Sequence, residues 1–431
     1  MRILGIESSC DETAAAVVED GRRLLSNVVN SQIDIHAEYG GVVPEIAARS
    51  HLEVINPVIN KALADAGCAW DDIDAIAVTY APGLIGSLLV GTLAARTLAI
   101  INKKPLYKIH HVEAHVYANF ITEQGPKTDE SGFATSSTEV PAQTQLNGHS
   151  EILDDRGLSE PPAASSADHQ ERYMDSDWRA EATSEEDGGK DAKPTPLILP
   201  KRQPTFPLLA LIVSGGHSQL VFFRDHSDFD LIGQTQDDAV GEAFDKVAKI
   251  LGLPYPGGPA ISKAAELGDP YAYQLPIAKL QGPYDFSFSG LKTAVLRAVQ
   301  REVGKDFSFP SHELPGLVDE DLRHNMAASF QYTAIKTLVL KTVAAFHALQ
   351  PASVVIAGGV AANLELRAQL AEALPIDIEY APIQLCTDNA AMIATLGYYR
   401  AQIDNPIDPL ELEVQPSLSM LSTLQHLPGG I

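Results

Sequence analysis

A chain of 431 residues with 45% hydrophobic composition is too long for one ordinary core and predicts a globular protein of two domains plus extra material. Its formal net charge of −25 argues against a generic nucleic-acid binder, because phosphate contacts supply most of that affinity. Three cysteines, Cys10, Cys68 and Cys386, with no CxxC pair, argue against a disulfide framework or a structural zinc knuckle and for a reducing compartment.

The first residues, Met1 to Gly5, lack the shape of a signal peptide. No apolar run approaches the roughly 18 residues needed to span a bilayer, so the expected location is cytoplasmic, with no membrane partner. Arg2 to Ile6 reads as a short apolar strand. A polar turn, Ser8 to Thr13, follows, then strands at Ala14 to Val18 and near Leu24 to Val29. Asp74 to Thr79 reads as a buried strand, followed by a Gly-containing loop, Pro82 to Ser87, and an apolar helix to Ile101. His111 and His115 come next. On a helix their spacing puts both imidazoles on one face, a turn apart, within reach of one metal ion. Alone, two histidines so spaced are a weak signal. His110 points roughly 100° away.

From about Thr122 to Thr205 the composition changes to Ser, Asp, Glu, Ala and Pro, without sustained periodicity. Residues 123–193 hold 17 acids and 6 bases. Such a segment buries too little apolar area to offset its ordering entropy, and is expected to be a disordered acidic insertion. After it the opening pattern returns: a strand at Leu208 to Val213, a turn at Ser214 to Ser218, then strands at Gln219 to Phe223 and Phe229 to Gln234. Ser353 to Ala357 is again a buried strand, with Gly358-Gly359-Val360-Ala361-Ala362-Asn363 and a helix from about Leu364 behind it. Strand, Gly loop and helix occurring twice predict an α/β, actin-like (ASKHA) duplicated two-lobe fold that clasps a nucleotide, with ligand sites at the strands' carboxyl ends. The expected division is lobe I at 1–121, the insertion at 122–205, lobe II at 206–405, its last helix able to return to lobe I, and a tail at 406–431.

Eight motifs carry a resemblance. They are Glu7-Ser8-Ser9-Cys10-Asp11-Glu12-Thr13, the stretch His36 to Glu45, His111-Val112-Glu113-Ala114-His115, Val213-Ser214-Gly215-Gly216-His217, Gly241 to Lys246, Pro256-Gly257-Gly258-Pro259, Ser287 to Lys292, and Gly358 to Asn363. In this order the sequence closely resembles the TsaD family, the tRNA threonylcarbamoyladenosine transferases once called glycoprotein endopeptidases, over nearly all of residues 1–120 and 206–402. The resemblance implies transfer of a threonylcarbamoyl group from threonylcarbamoyl-AMP to N6 of the adenosine beside the anticodon, position 37, in tRNAs reading ANN codons. It implies one divalent metal per subunit, iron(II) first, with zinc or magnesium as alternatives. The implied partners are tRNA, a non-catalytic paralogue (TsaB) and a P-loop ATPase (TsaE).

Carried over by motif, the metal ligands are His111, His115 and Asp388. Two imidazoles and a carboxylate leave coordination positions open. Read alone, the histidines are ordinary helix-surface residues and Asp388 is a helix cap. The resemblance places the adenylate against Ile212, Val213, Ser214, Gly215 and Gly216, where tandem glycines let backbone N–H groups approach an anion. It assigns the ribose to Asp245, the adenine to Gly258 and a further nucleotide contact to Asn363. Read singly these are a hairpin turn, a solvated acid, a turn glycine and a helix cap. Asp11 and Glu12, at the lobe's mouth, are expected to be catalytic or positioning carboxylates. Lys246, Lys249 and Lys292 are candidates for positive potential toward tRNA.

A zincin protease needs a glutamate directly after its first histidine; here that place holds Val112, and Glu113 is swung off the ligand face. The alternative from another class is an actin-like nucleotide-clamping ATPase or regulatory protein, which needs no histidine pair. The inserted residues depart from the family's usual run, and the end of the chain lacks its short basic finish.

Overall fold

The computed structural model describes residues 1–123 and 197–420. The expected disordered insertion lies almost wholly outside them. Two five-stranded sheets organise the rest, and each repeats one topology. In the first, β1 (Arg2–Glu7), β2 (Glu12–Glu19) and β3 (Arg23–Ser31) form an antiparallel meander, and β4 (Ala75–Ala81) and β5 (Leu106–His110) extend it in parallel, in the order β3-β2-β1-β4-β5. In the second, β6 (Leu208–Val213), β7 (Ser218–Phe223) and β8 (Phe229–Gln234) are the meander, and β9 (Ser353–Ala357) and β10 (Glu379–Tyr380) the parallel extension, in the order β8-β7-β6-β9-β10. The mixed α/β, two-sheet architecture and the internal repeat are thus as expected. The central strands are apolar on both faces because helices cover both sides.

Those helices are α1 (Ile33–Ala37), α2 (Pro44–Asp65), α3 (Ile85–Asn102), α4 (His111–Tyr117), α5 (Val240–Leu251), α6 (Gly257–Ala265), α7 (Ser289–Glu302), α8 (Glu320–Leu349), α9 (Leu364–Ala373), α10 (Ile383–Cys386) and α11 (Ala390–Ile403). One core packs Leu4, Ile6, Val17 and Ile76 of the first sheet against Ile55, Val58 and Ile59 of α2 and Val90, Ala95 and Ala99 of α3. The expectation that no segment reaches membrane-spanning length is corrected by α3. By length and composition it is apolar enough to cross a bilayer. Polar residues such as Arg96 break its uninterrupted apolar run, which hid this in the sequence. In the fold α3 lies against β4 and α2.

Helix α11 follows the second sheet in sequence but packs on β1, β2 and β4 of the first sheet. Two glycines permit the approach. A Cβ on Gly5 would stand 2.3 Å from the Ala390 carbonyl oxygen, and one on Gly397 2.5 Å from the Ala77 Cβ. The return of α11 carries Asp388, just before its start, back to the first sheet.

Where the chain leaves the first lobe, Glu123 N donates to the Pro200 carbonyl at 3.1 Å, so departure and re-entry are side by side. An aromatic group anchors this point. His226 stacks on Tyr399 with ring centroids 3.9 Å apart, lies 4.8 Å from the Phe206 ring, and has Nδ1 3.0 Å from the Tyr117 hydroxyl. Burial pushes His226 down to about 4; Asp225 opposes this, and Arg400 and Arg22 reinforce it. The unfolded chain takes up this proton near 6.5 and the folded chain only near 4. The contribution of His226 is therefore complete above about pH 6.5 and lost as pH falls toward 4. Urea unfolding at stepped pH should show this loss, and His226→Phe should remove roughly one proton from the slope. An unchanged slope contradicts it.

Candidate active site

Helix α4 starts where β5 ends. His110 caps it, with Nδ1 accepting from Glu113 N at 3.4 Å, and its Nε2 bonds the Leu418 carbonyl at 3.1 Å. That turns His110 away and leaves His111 and His115 on one face. Their rings meet edge to face, with centroids 4.7 Å apart. Asp388 comes to them from the other end of the chain: its Oδ1 is 3.5 Å from His111 Nε2 and 3.3 Å from His115 Nε2. One donor atom from each of the three lies within 4.8 Å of the others. Asp388 is not the helix cap; Asn389 is, accepting from Met392 N at 3.1 Å. The carboxylate is thereby free of backbone duty.

Both nitrogens of His115 are buried and make no hydrogen bond. Buried polar atoms are rarely left so, and two imidazoles and an acid turned on one point form the donor set of a divalent transition metal. The residues fit the expected cation. Burial would raise Asp388, but the His111 and His115 rings outweigh it and hold the carboxyl far below the usual range. Burial would lower His111, and Asp388 and Glu7 together raise it well above the ordinary histidine value.

The turn after β1 is fixed from several sides. Leu84 N donates to the Ser9 carbonyl at 2.8 Å, and Ser87 Oγ and His51 Nε2 bond the Cys10 carbonyl at 3.0 and 2.9 Å. His51 Nδ1 is in turn 2.7 Å from Thr13 Oγ1 and 3.4 Å from Gln32 Nε2, and Gln32 Oε1 is 3.2 Å from His36 Nε2. All four of these side chains are buried. Asp11 and Glu12 leave this turn. Burial, then the charges of Asp388 and Asp11, push Glu12 up to about 10, so Glu12 and Asp388 share one electrostatic neighbourhood. His217, after the Gly turn, belongs to it also: burial pushes it down to about 4, with His111 and His115 adding to the shift.

The Ser214 turn joins β6 to β7, with Ser214 N bonded to the His217 carbonyl at 2.8 Å. A Cβ on Gly215 or Gly216 would meet nothing within 4 Å, so no packing against the protein requires glycine there. Ile212 and Val213 are wholly buried; any contact they make with a ligand comes from backbone. Asp245, on α5, accepts from Gly257 N at 2.7 Å and is raised by burial. Gly258 follows directly, with open space where a Cβ would stand. Asn363 caps α9 by accepting from Leu366 N at 3.0 Å, while its Nδ2 reaches Ser262 Oγ at 3.1 Å and Gln331 Oε1 at 2.9 Å. Its cap reading is therefore real, and the same bonds tie it to α6 beside Gly258. Tyr255 links the two groups. Burial raises it to about 12, followed by Asp11 and Asp245, so both acids lie within electrostatic reach of it.

Several residues were missed from sequence. Glu7 is an acid closing an apolar strand, a signal that was present. Glu113 is buried and accepts from Arg400 Nη2 at 2.6 Å, fastening α4 to α11. The lysine expectation needs correction: Lys246 and Lys292 are both 2.8 Å from Asp238, and Lys246 also 2.8 Å from Glu242. Their charge is matched by these acids, which weakens the two as a free positive patch; Lys249 is exposed.

A family model described as TsaD, tRNA N6-adenosine threonylcarbamoyltransferase, matches residues 23–130 and 196–395. A protein of that name from Thermomicrobium roseum is 43% identical over 429 residues, covering 98% of each chain. Another from Symbiobacterium thermophilum is 44% identical over 423 residues, covering 97% of this chain and 96% of that one.

Proposed function

This chain belongs to the TsaD family, tRNA N6-adenosine threonylcarbamoyltransferase, and from that premise we propose how its own residues serve the reaction. The enzyme is a transferase that modifies N6 of an adenosine in tRNA. The nucleotide-clamping ATPase is not favoured, since the family model and the relatives carry the transferase name. In our reading the fold is the actin-like duplicated clasp, and the donor is threonylcarbamoyl-AMP. Its phosphate lies along Ser214, Gly215 and Gly216, its ribose at Asp245, and its base over Gly258 near Asn363. The acceptor is the adenosine beside the anticodon, position 37, of ANN-reading tRNAs.

His111, His115 and Asp388 would hold a divalent cation, iron(II) in the first instance, with zinc or magnesium as alternatives. When bound there it supplies Lewis-acid polarisation of a carbonyl oxygen and a template for the acyl group. In the transfer, N6 forms a bond to the carbamoyl carbon, the bond from that carbon to the phosphate oxygen breaks, AMP departs, and N6 sheds a proton. We assign the acceptance of that proton to a carboxylate oxygen of Glu12, with Asp11 beside it. Burial, then Asp388 and Asp11, raises this carboxyl, and a positive charge balanced against Asp388 would oppose the second of these.

The partners we propose, besides tRNA, are the paralogue TsaB and the ATPase TsaE. The need for a protein partner is supported by exposed apolar side chains on neighbouring helices: Leu52 on α2, and Ile85, Leu93 and Ile101 on α3, each more than half exposed. A cytoplasmic location is supported by the three free cysteines.

The observation that carries the mechanism is the convergence of both Nε2 atoms on one Asp388 oxygen. Reconstitution with threonylcarbamoyl-AMP, an ANN-reading tRNA and the two partners should yield threonylcarbamoyladenosine, read by mass spectrometry of the nucleosides. A cation-loaded protein that forms none under these conditions defeats the reading.

A further inference from the structure

We propose that Glu7 is a positioning residue for the transfer: its buried carboxylate holds the His111 ring with Nδ1–H turned inward, so that Nε2 is the nitrogen offered to a cation. This rests on the cation-site reading given above. Glu7 closes β1 and is wholly buried. Its Oε1 accepts from Ser9 N at 2.5 Å, and its Oε2 accepts from Thr79 Oγ1 at 2.5 Å and lies 3.1 Å from His111 Nδ1. A carboxylate only accepts, and three donors converge on these two oxygens. The third is then Nδ1–H of His111. The opposite ring atom, Nε2, is the one that faces Asp388.

The anchor is rigid because secondary structure sets it. β1 and β4 are parallel neighbours with Ile6 opposite Val78, so Glu7 and Thr79 stand side by side by sheet register. The backbone N–H of Ser9 fixes the second oxygen, and Ser9 Oγ adds a contact to His111 Nδ1 at 3.2 Å. Strand, turn and helix thus meet on one acid. His115 has no counterpart, since neither of its nitrogens is hydrogen-bonded. The site is asymmetric: a buried carboxylate stands behind the His111 ring, and no hydrogen bond stands behind the His115 ring. A carboxylate behind a ligating imidazole both fixes its tautomer and raises its basicity.

Glu7→Gln tests this in the full-length protein. The amide keeps the shape but offers one accepting atom for three donors, and its NH2 faces a donor unless His111 moves its proton to Nε2. Zn(II) and Co(II) affinities, measured by chelator competition, should fall about 10- to 100-fold. Thr79→Val is the control. It removes a neighbouring bond to the same Oε2 without touching His111 and leaves the carboxylate there to accept, so it should lower those affinities clearly less than Glu7→Gln does. Long-range 15N–1H spectra of the Zn(II)-loaded wild type should show His111 protonated at Nδ1, a readout that needs no variant to fold. Coordination through Nδ1, or Glu7→Gln affinities equal to wild type, overturns the role of Glu7 alone. Failure of the wild type to bind either cation removes the site reading and this proposal together.

Discussion

Asp388→Asn is expected to abolish cation binding and to slow transfer roughly a thousandfold, equivalent to about 4 kcal/mol of transition-state stabilisation. The substitution keeps the side chain's shape and removes its charge. Two neutral imidazoles and an amide make a poor site for a divalent cation. The helix behind it should survive, because Asn389 and not Asp388 caps α11. Glu12 reports separately. Asp388 is among the charges that raise it, so without that charge its carboxyl should titrate lower in the cation-free protein. Cation stoichiometry by elemental analysis, single-turnover transfer and the thermal midpoint decide the matter. Retained stoichiometry with transfer within tenfold of wild type would mean that the three residues meet for another reason.

Arg400→Met should cost about 3–5 kcal/mol of stability at neutral pH, the usual penalty for stripping one partner from a buried ion pair. Arg400 and Glu113 are both buried, with the bond at 2.6 Å, and Asp404, 3.6 Å away, is the only other acid paired with Arg400 among the described residues. Burial already raises Glu113, against the opposing pull of Arg400; removing the guanidinium raises it further. An acid whose folded pKa is raised contributes stability that is complete below its unfolded value near 4.3 and lost as pH climbs through the folded value. The deficit of Arg400→Met should therefore shrink near pH 4 and grow toward neutrality. Adding Glu113→Gln should restore part of it, since no charge is then stranded. Urea unfolding across pH checks both signs, and a deficit below about 1 kcal/mol at pH 7 contradicts the assignment. Because the pair joins the two elements that carry the histidines and Asp388, the single variant should also bind the cation more weakly.

The strands β6, β8 and β9 could be read to the residue: β6 and β9 are apolar runs closed by Gly or polar turns, and β8 is a short mixed strand set off by the polar turn before it. β5 could not: Leu106–His110 is short and Lys108 breaks it. The thirty-residue α8 was equally silent, since buried residues lie all round it and leave no apolar stripe to detect. In the site, spacing alone put His111 and His115 on one face. The approach of Asp388 was a different matter. It depends on α11 crossing back to β1 through gaps left by Gly5 and Gly397, and no local pattern encodes a contact between distant segments; the resemblance supplied it. Glu7 was visible as an acid ending a greasy strand, and Arg400 as a cation within an apolar helix. What each one touches is a property of the packed molecule. For Lys246 and Lys292 the sequence hid the pairing with Asp238, another contact between distant segments.

The hydrogen bond between Glu123 and Pro200 clamps both feet of the chain that intervenes. For a tether so pinned, doubling the span adds only about 0.6 kcal/mol of closure entropy. Chain length between these two residues is therefore a small term beside the contacts of the two sheets, and the gap in the family model, between residues 130 and 196, falls inside the span they close.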